Sequence, residues 1–191
     1  MHLITISLLL LTTGSGGLLS TSRGHAGQVR SQADTVRTPT VELETTMVSP
    51  MTILMIRDTA AAVTDISRVL GNGYVELFTY INHNHLKPGK VMAFYHSSRL
   101  PMIMDVAVQV DSPAKVTTGR IKINKVLAGN AVVAHYQGPY EQIGMAYAAL
   151  GKWLKQQGKN ALDAPFEVYL NDPMSVKYPS ELRTDVYQFV K

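Results

Sequence analysis

Ala164-Pro-Phe-Glu-Val-Tyr-Leu-Asn-Asp-Pro173 is a short apolar run bracketed by Pro165 and Pro173, with a single glutamate set inside it. Aromatic and branched residues over Phe166–Leu170 predict a strand. Successive side chains of a strand point to opposite faces. Phe166, Val168 and Leu170 therefore share one side, which suits a layer of helices, while Glu167, Tyr169 and Asn171 share the other. Glu167 is the residue that breaks the local apolar rule. A buried carboxylate is costly unless a cation or a hydrogen-bond donor meets it. The pattern alone leaves two readings open: a ligand-facing acid, or a glutamate paired with a nearby Arg or Lys or lying on a solvated face.

Working back from this strand, Gly138-Pro-Tyr-Glu141 predicts a helix start, with Pro139 in the first turn and Glu141 favoured there by the helix dipole. Ile143, Tyr147, Leu150 and Leu154 form its apolar stripe, and Gly158 ends it. Ahead of it, Arg120–Leu127 and Ala131–Tyr136 read as a hairpin turning at Gly129-Asn130. The first half has the same plan: a strand at Thr52–Ile56, a helical period over residues 60–84, then strands at Val91–Tyr95 and Met102–Val110. Gly71 and Gly73 would each cost about 1 kcal/mol relative to alanine within a helix, which predicts a break near Asn72. Asp185–Val190 supplies a last strand.

Aligning Leu77 with Leu150 brings Tyr95 to within one position of Tyr169. The chain thus reads as an α+β fold of two pseudo-symmetric strand–helix–strand–strand modules. The face opposite the helices is expected to carry Glu167, Tyr169 and Tyr95, with the small Ala93 leaving room. An acid among aromatic rings favours an organic cation.

Three segments together, Ala134-His-Tyr-Gln-Gly-Pro-Tyr-Glu141, Tyr147-Ala-Ala-Leu-Gly-Lys-Trp153 and Ala164–Pro173, resemble the GyrI-like (gyrase-inhibitor-like) effector-binding family. The resemblance covers residues 47–191 and implies a two-module fold with a ligand groove between the modules. That family includes effector-binding domains of bacterial multidrug-responsive transcription regulators, and its pocket glutamate matches Glu167. Some relatives resemble hydrolases that open strained rings with a glutamate and a tyrosine, for which Glu167 and Tyr95 are the matching candidates. The resemblance implies a binding protein for hydrophobic, cationic or aromatic small molecules. A hydrolase using Glu167, or a regulator of a macromolecular partner, are the alternatives. No cofactor is expected, and a monomer or weak dimer is.

Other residues bear on the site less directly. Trp153 lies one position from the apolar stripe, where core packing is the plain role, although in some relatives this position borders the groove. His135 alternates with Val133 and is a candidate for the pocket, or else a structural histidine. His83 and His85 are two apart, which on a helix sends them to different faces, so no metal pair is read there. Cysteine is absent, which excludes disulfides and thiolate chemistry. The net charge of +4 lies wholly in residues 47–191, with fifteen Lys and Arg against eleven acids. Its closest basic grouping, Arg120, Lys122 and Lys125, reads as a solvated strand edge. No nucleic-acid partner is expected.

Residues 1–46 differ in kind. Leu3–Leu11 is too short to span a bilayer, which needs about 20 apolar residues. It suits the core of a secretory signal, with cleavage after Gly24-His25-Ala26, and implies export to the periplasm. The other reading is an unstructured extension ahead of a start near Met47. Residues 20–46, rich in Ser, Thr, Gln and Arg, read as a linker, and no helix-turn-helix pattern can be placed there. N-terminal sequencing of the mature protein is expected to begin at Gly27; a chain beginning at Met1 or Met47 would contradict cleavage.

Overall fold

A computed structural model describes residues 37–97, 99–112 and 119–191. The expected signal segment lies outside the described residues, as does the linker up to residue 36. Among the described residues eight strands and two α-helices follow one another. They are β1 (Thr40–Val48), β2 (Met51–Ala60), α1 (Ile66–His83), β3 (Pro88–Tyr95), β4 (Met102–Val110), β5 (Lys122–Val126), β6 (Gly129–Gln137), α2 (Gly144–Gln157), β7 (Ala161–Tyr169) and β8 (Arg183–Val190). Among the described residues no helix is long and apolar enough to cross a membrane.

The strands form one sheet in the order β1-β6-β8-β7-β3-β4-β2-β5, with every pair antiparallel. This is an α+β fold in which the succession strand–helix–strand–strand occurs twice, as β2-α1-β3-β4 and β6-α2-β7-β8. The two groups meet at β3 and β7, whose register sets Ala93 opposite Glu167. Helix α1 packs on β2 and β4, and α2 on β6, β1 and β8. Both helices lie on the same face of the sheet, one over each half.

The other face has a core of its own. Met92, Phe166, Val168, Ile53 and Ala131 are buried there without a helix, and Phe94, Tyr187 and Phe189 pack against them. Two short links explain how this face is closed. Ser49-Pro50 joins β1 to β2, and Leu127-Ala128 joins β5 to β6, yet each pair stands far apart in the strand order. Two residues cannot bridge a flat eight-stranded sheet whose strands lie about 4.8 Å apart. The sheet therefore curls, bringing its two edge regions close at the end where these links lie, and apolar residues of its inner face are buried.

Several expectations are corrected by this arrangement. The hairpin expected between β5 and β6 does not form: β5 pairs with β2, and β6 with β1 and β8. A tight link between consecutive strands marks the closing corner of the curled sheet here. Residues 40–46, expected to be linker, form most of β1, ahead of the boundary expected at Met47. As an edge strand β1 is mostly exposed, and only the short alternation Val41-Glu42-Leu43-Glu44 marks it in the sequence. Phe166 and Val168 face the inner core and not the helices, so the two faces of β7 are interchanged relative to expectation.

The break expected at Asn72 is also absent, and α1 runs through both glycines. Gly73 has a packing reason: a Cβ there would come within 2.8–3.0 Å of the Val106 side chain on β4. The glycine lets the helix settle on the sheet. Gly158 ends α2 as expected, at φ +60°, with its N–H reaching the Leu154 and Lys155 carbonyls. Gly73→Ala is expected to lower stability by about 1–3 kcal/mol in chemical denaturation through overpacking. The double variant with Val106→Ala should cost less than the sum of the singles.

Candidate ligand-binding site between the helices

The alternation of β7 produces the site. Phe166 and Val168 are anchored in the inner core, so Glu167 is turned onto the helix face, where it is only 4% exposed. Its neighbour across the seam is Ala93, which is fully buried and brings no bulk. Both carboxylate oxygens accept tyrosine hydroxyls. Tyr147 of α2 donates to Oε1 at 2.7 Å, and Tyr169 donates to Oε2 at 2.6 Å. The Tyr95 hydroxyl lies 3.3 Å from that of Tyr169. Tyr74 of α1 and Tyr140 meet Tyr169 edge to face, with ring centroids 6.4 and 5.7 Å away. Tyr74 is itself fixed by donating to the Met92 carbonyl at 2.9 Å.

Glu167 is thus hydrogen-bonded without being neutralised. Among the described residues no Lys, Arg or His forms an ion pair with it. Burial raises its pKa above the ordinary 4.5, against the pull of hydroxyls from Tyr169, Tyr147 and Tyr95. Burial likewise pushes the tyrosines up, with the glutamate's charge adding to the effect: Tyr140 reaches about 12, and Tyr95 and Tyr147 go higher. At neutral pH all three remain protonated donors.

A cavity of about 1200 Å³ opens above this cluster, between the two helices. That is somewhat larger than the about 300–1,000 Å³ usual for small-molecule sites. One wall is shaped by an irregularity in β7. The register with β8 shifts between Leu162 and Phe166, and Asp163 adopts φ +58°. The buried Gln188 holds this bulge by donating to the carbonyls of Leu162 and Asp163 at 2.9 and 3.4 Å. The bulge brings Asp163, Ala164 and Pro165 to the cavity. No Lys or Arg lines it among the described residues, whereas Glu141, Asp163, Glu167 and Asp172 do. In a chain of net charge +4, that wall is locally negative.

The sequence of the GyrI-like small molecule binding domain family matches residues 42–191. This chain belongs to the GyrI-like family. Solved structures carry the same fold. The C-terminal domain of EcmrR is 18% identical over 79% of this chain and 98% of its own, with a TM-score of 0.66. The match spans 57% of the EcmrR chain in its complex with DNA, so the fold alone does not exclude a nucleic-acid partner. A hydrolase from Listeria innocua is 14% identical over 78% of this chain and 92% of its own, with a TM-score of 0.56. SAV2435 bound to tetraphenylphosphonium is 12% identical over 78% and 94%, with a TM-score of 0.54. A search of curated proteins found no match.

Within this GyrI-like domain the expected site residues separate into two groups. Glu167, Tyr169 and Tyr95 come together at the cavity, and Ala93 lies beneath it as the buried partner of Glu167. His135 and Trp153 do not line it. His135 alternates with Ala134 and Tyr136, which face α2, so it points to the other side of the sheet. There it meets Asp185 at 2.7 Å and Glu44 at 3.2 Å. Burial disfavours the charged imidazole, but the two carboxylates outweigh it and raise its pKa. Trp153 packs in the core beneath α2 with Leu150 and Val132.

Tyr74, Tyr140 and Tyr147 are the tyrosines lining the cavity that the sequence reading did not assign to the site. A signal for two of them exists: with Leu77 set on Leu150, Tyr74 and Tyr147 each stand three positions earlier on their helices.

The raised pKa fixes the sign of a pH effect. The folded state holds the Glu167 proton more tightly than the unfolded chain, so this stabilisation is full below the unfolded value near 4.5. It is lost as pH rises through the raised folded value. Glu167→Gln keeps the shape without the charge. Its melting temperature is expected to match wild type at about pH 4 and exceed it at about pH 8. A variant less stable than wild type at the higher pH would contradict an uncompensated buried charge.

Proposed function

We propose that this GyrI-like domain captures hydrophobic organic cations, with Glu167 as counter-charge and Tyr95, Tyr147 and Tyr169 as aromatic surface. The observation that carries this reading is a nine-tenths-buried carboxylate held by tyrosine hydroxyls, with no cationic partner among the described residues, at the base of a locally negative cavity. A cation entering the cavity supplies the missing charge. Each aromatic face that it meets contributes about 0.5–2 kcal/mol, at the upper end when water is excluded. The tyrosine hydroxyls keep the carboxylate aimed before the ligand arrives, which lowers the cost of ordering the site. SAV2435, which shares the fold, is bound to a cation of this type.

A hydrolytic reading uses the same glutamate as a general base for water. Its raised pKa favours this, because a base works best when its pKa lies near the working pH. Tyr95 is then the candidate to assist ring opening of a strained electrophile. Occupation of both carboxylate oxygens by hydroxyl donors favours binding over base catalysis.

In a thermal-shift titration, tetraphenylphosphonium at about a hundred times its dissociation constant is expected to add about 2.7 kcal/mol of stability. The neutral triphenylphosphine oxide should add far less, and Glu167→Gln should lose the cation's advantage. Affinity for the cation should fall as pH drops through the raised Glu167 value, because proton and ligand compete. Equal shifts with both compounds would remove the cation reading. Product formation from an added epoxide, abolished in the same variant, would establish the hydrolytic one.

A further inference from the structure

Along α1, Ser67, Gly71, Tyr74 and Phe78 recur at helical spacing on the face that borders the cavity. Glycine is a poor choice inside a helix, since it loses more backbone freedom on folding than any other residue. Gly73 is accounted for by Val106. Gly71 is not accounted for in that way: a Cβ added there meets nothing within 4 Å, and its backbone is not among those with positive φ. Neither a close neighbour nor an unusual conformation requires the glycine. What its missing side chain does is leave open the stretch of wall between Ser67 and Tyr74.

We propose that Gly71 sets the breadth of the cavity, keeping it wide enough for a bulky cation bearing several aryl arms. This rests on the reading of the cavity as an organic-cation site and adds the determinant of ligand size. The rings that such arms would meet are already in place on both helices. Tyr74 and Phe78 follow Gly71 by one and two turns on α1, and Tyr140 and Tyr147 stand on the α2 side. A side chain at position 71 would project into the space between them, where one arm of a branched ligand has to lie. A slim cation with a single ring can meet Glu167 without using that space.

The test is calorimetric titration of the full chain and its Gly71→Ala, Gly71→Leu and Glu167→Gln variants. The probes are tetraphenylphosphonium, benzyltrimethylammonium and neutral triphenylphosphine oxide. Gly71→Leu is expected to weaken tetraphenylphosphonium binding about tenfold or more while leaving benzyltrimethylammonium unchanged. Gly71→Ala should melt a few degrees above wild type, because alanine is the better helix residue, with a smaller loss for the bulky probe.

Undiminished tetraphenylphosphonium binding by Gly71→Leu overturns the proposal. So does an equal loss for both cations, which would mark a general distortion of the site, and so does a melting temperature of Gly71→Ala below wild type. If Glu167→Gln binds every probe as wild type does while Gly71→Leu still discriminates by size, the cation reading falls and the role of Gly71 stands. If wild type binds none of the probes, both fall.

Discussion

The antiparallel seam between β3 and β7 joins the two halves of the sheet, and what lies on its two sides governs the rest of the molecule. On the inner side Phe166 stacks with Phe94 and Tyr187, at centroid separations of 5.0 and 4.9 Å, so three neighbouring strands are locked through their rings. Strand alternation then leaves Glu167 no direction but the helix face, between Ala93 and the tyrosines. The packing that closes the inner core thus fixes where the acid stands, and the tyrosines of the helix face shield it from water. Moving it would require slipping the register of β7, which would turn Phe166 and Val168 out of that core. The position of the charge is thus a by-product of the most apolar part of the fold.

The two helices complete the site by standing apart. Each covers one half of the sheet, and the seam between the halves is left for the cavity. Each half has one strong cluster under its helix, Leu77 with Leu54 and Val106 in the first and Leu150 with Val132 and Val186 in the second. A binding site at the junction can therefore be open without weakening either. Tyr147 connects these roles, since it packs beneath α2 and also donates to Glu167.

Much of this was legible from residues alone. Both helices, the strands of each half and the grouping of Glu167, Tyr169 and Tyr95 follow from period, alternation and the alignment of Leu77 with Leu150. What could not be read was which face of β7 meets the helices. Counting apolar residues gave Phe166 and Val168 to the helix layer, but a curled sheet buries both faces, so apolarity no longer tells them apart. The same inversion misplaced His135. β1 escaped notice because edge strands carry little apolar signal, and the link at Leu127-Ala128 looked like a hairpin because local sequence does not encode how far a sheet has curved. Gly71 and Gly73 looked like a helix break, yet one glycine answers to a neighbour and the other to an open space.

The short links at Ser49-Pro50 and Leu127-Ala128 also bear on how the chain reaches this state. β1 is synthesised before the rest of the sheet, but its strand partner among the described residues, β6, emerges after the whole first half has been made. Loop-closure entropy has to be met before that distant pairing brings any return, so closing the sheet belongs to the late, slow part of folding. Until then β1 is a free strand with both edges unpaired, a template for association with other chains. Glu42 and Glu44 in its middle oppose such pairing between copies by charge repulsion, and after closure Glu44 finds His135 on the strand that was awaited.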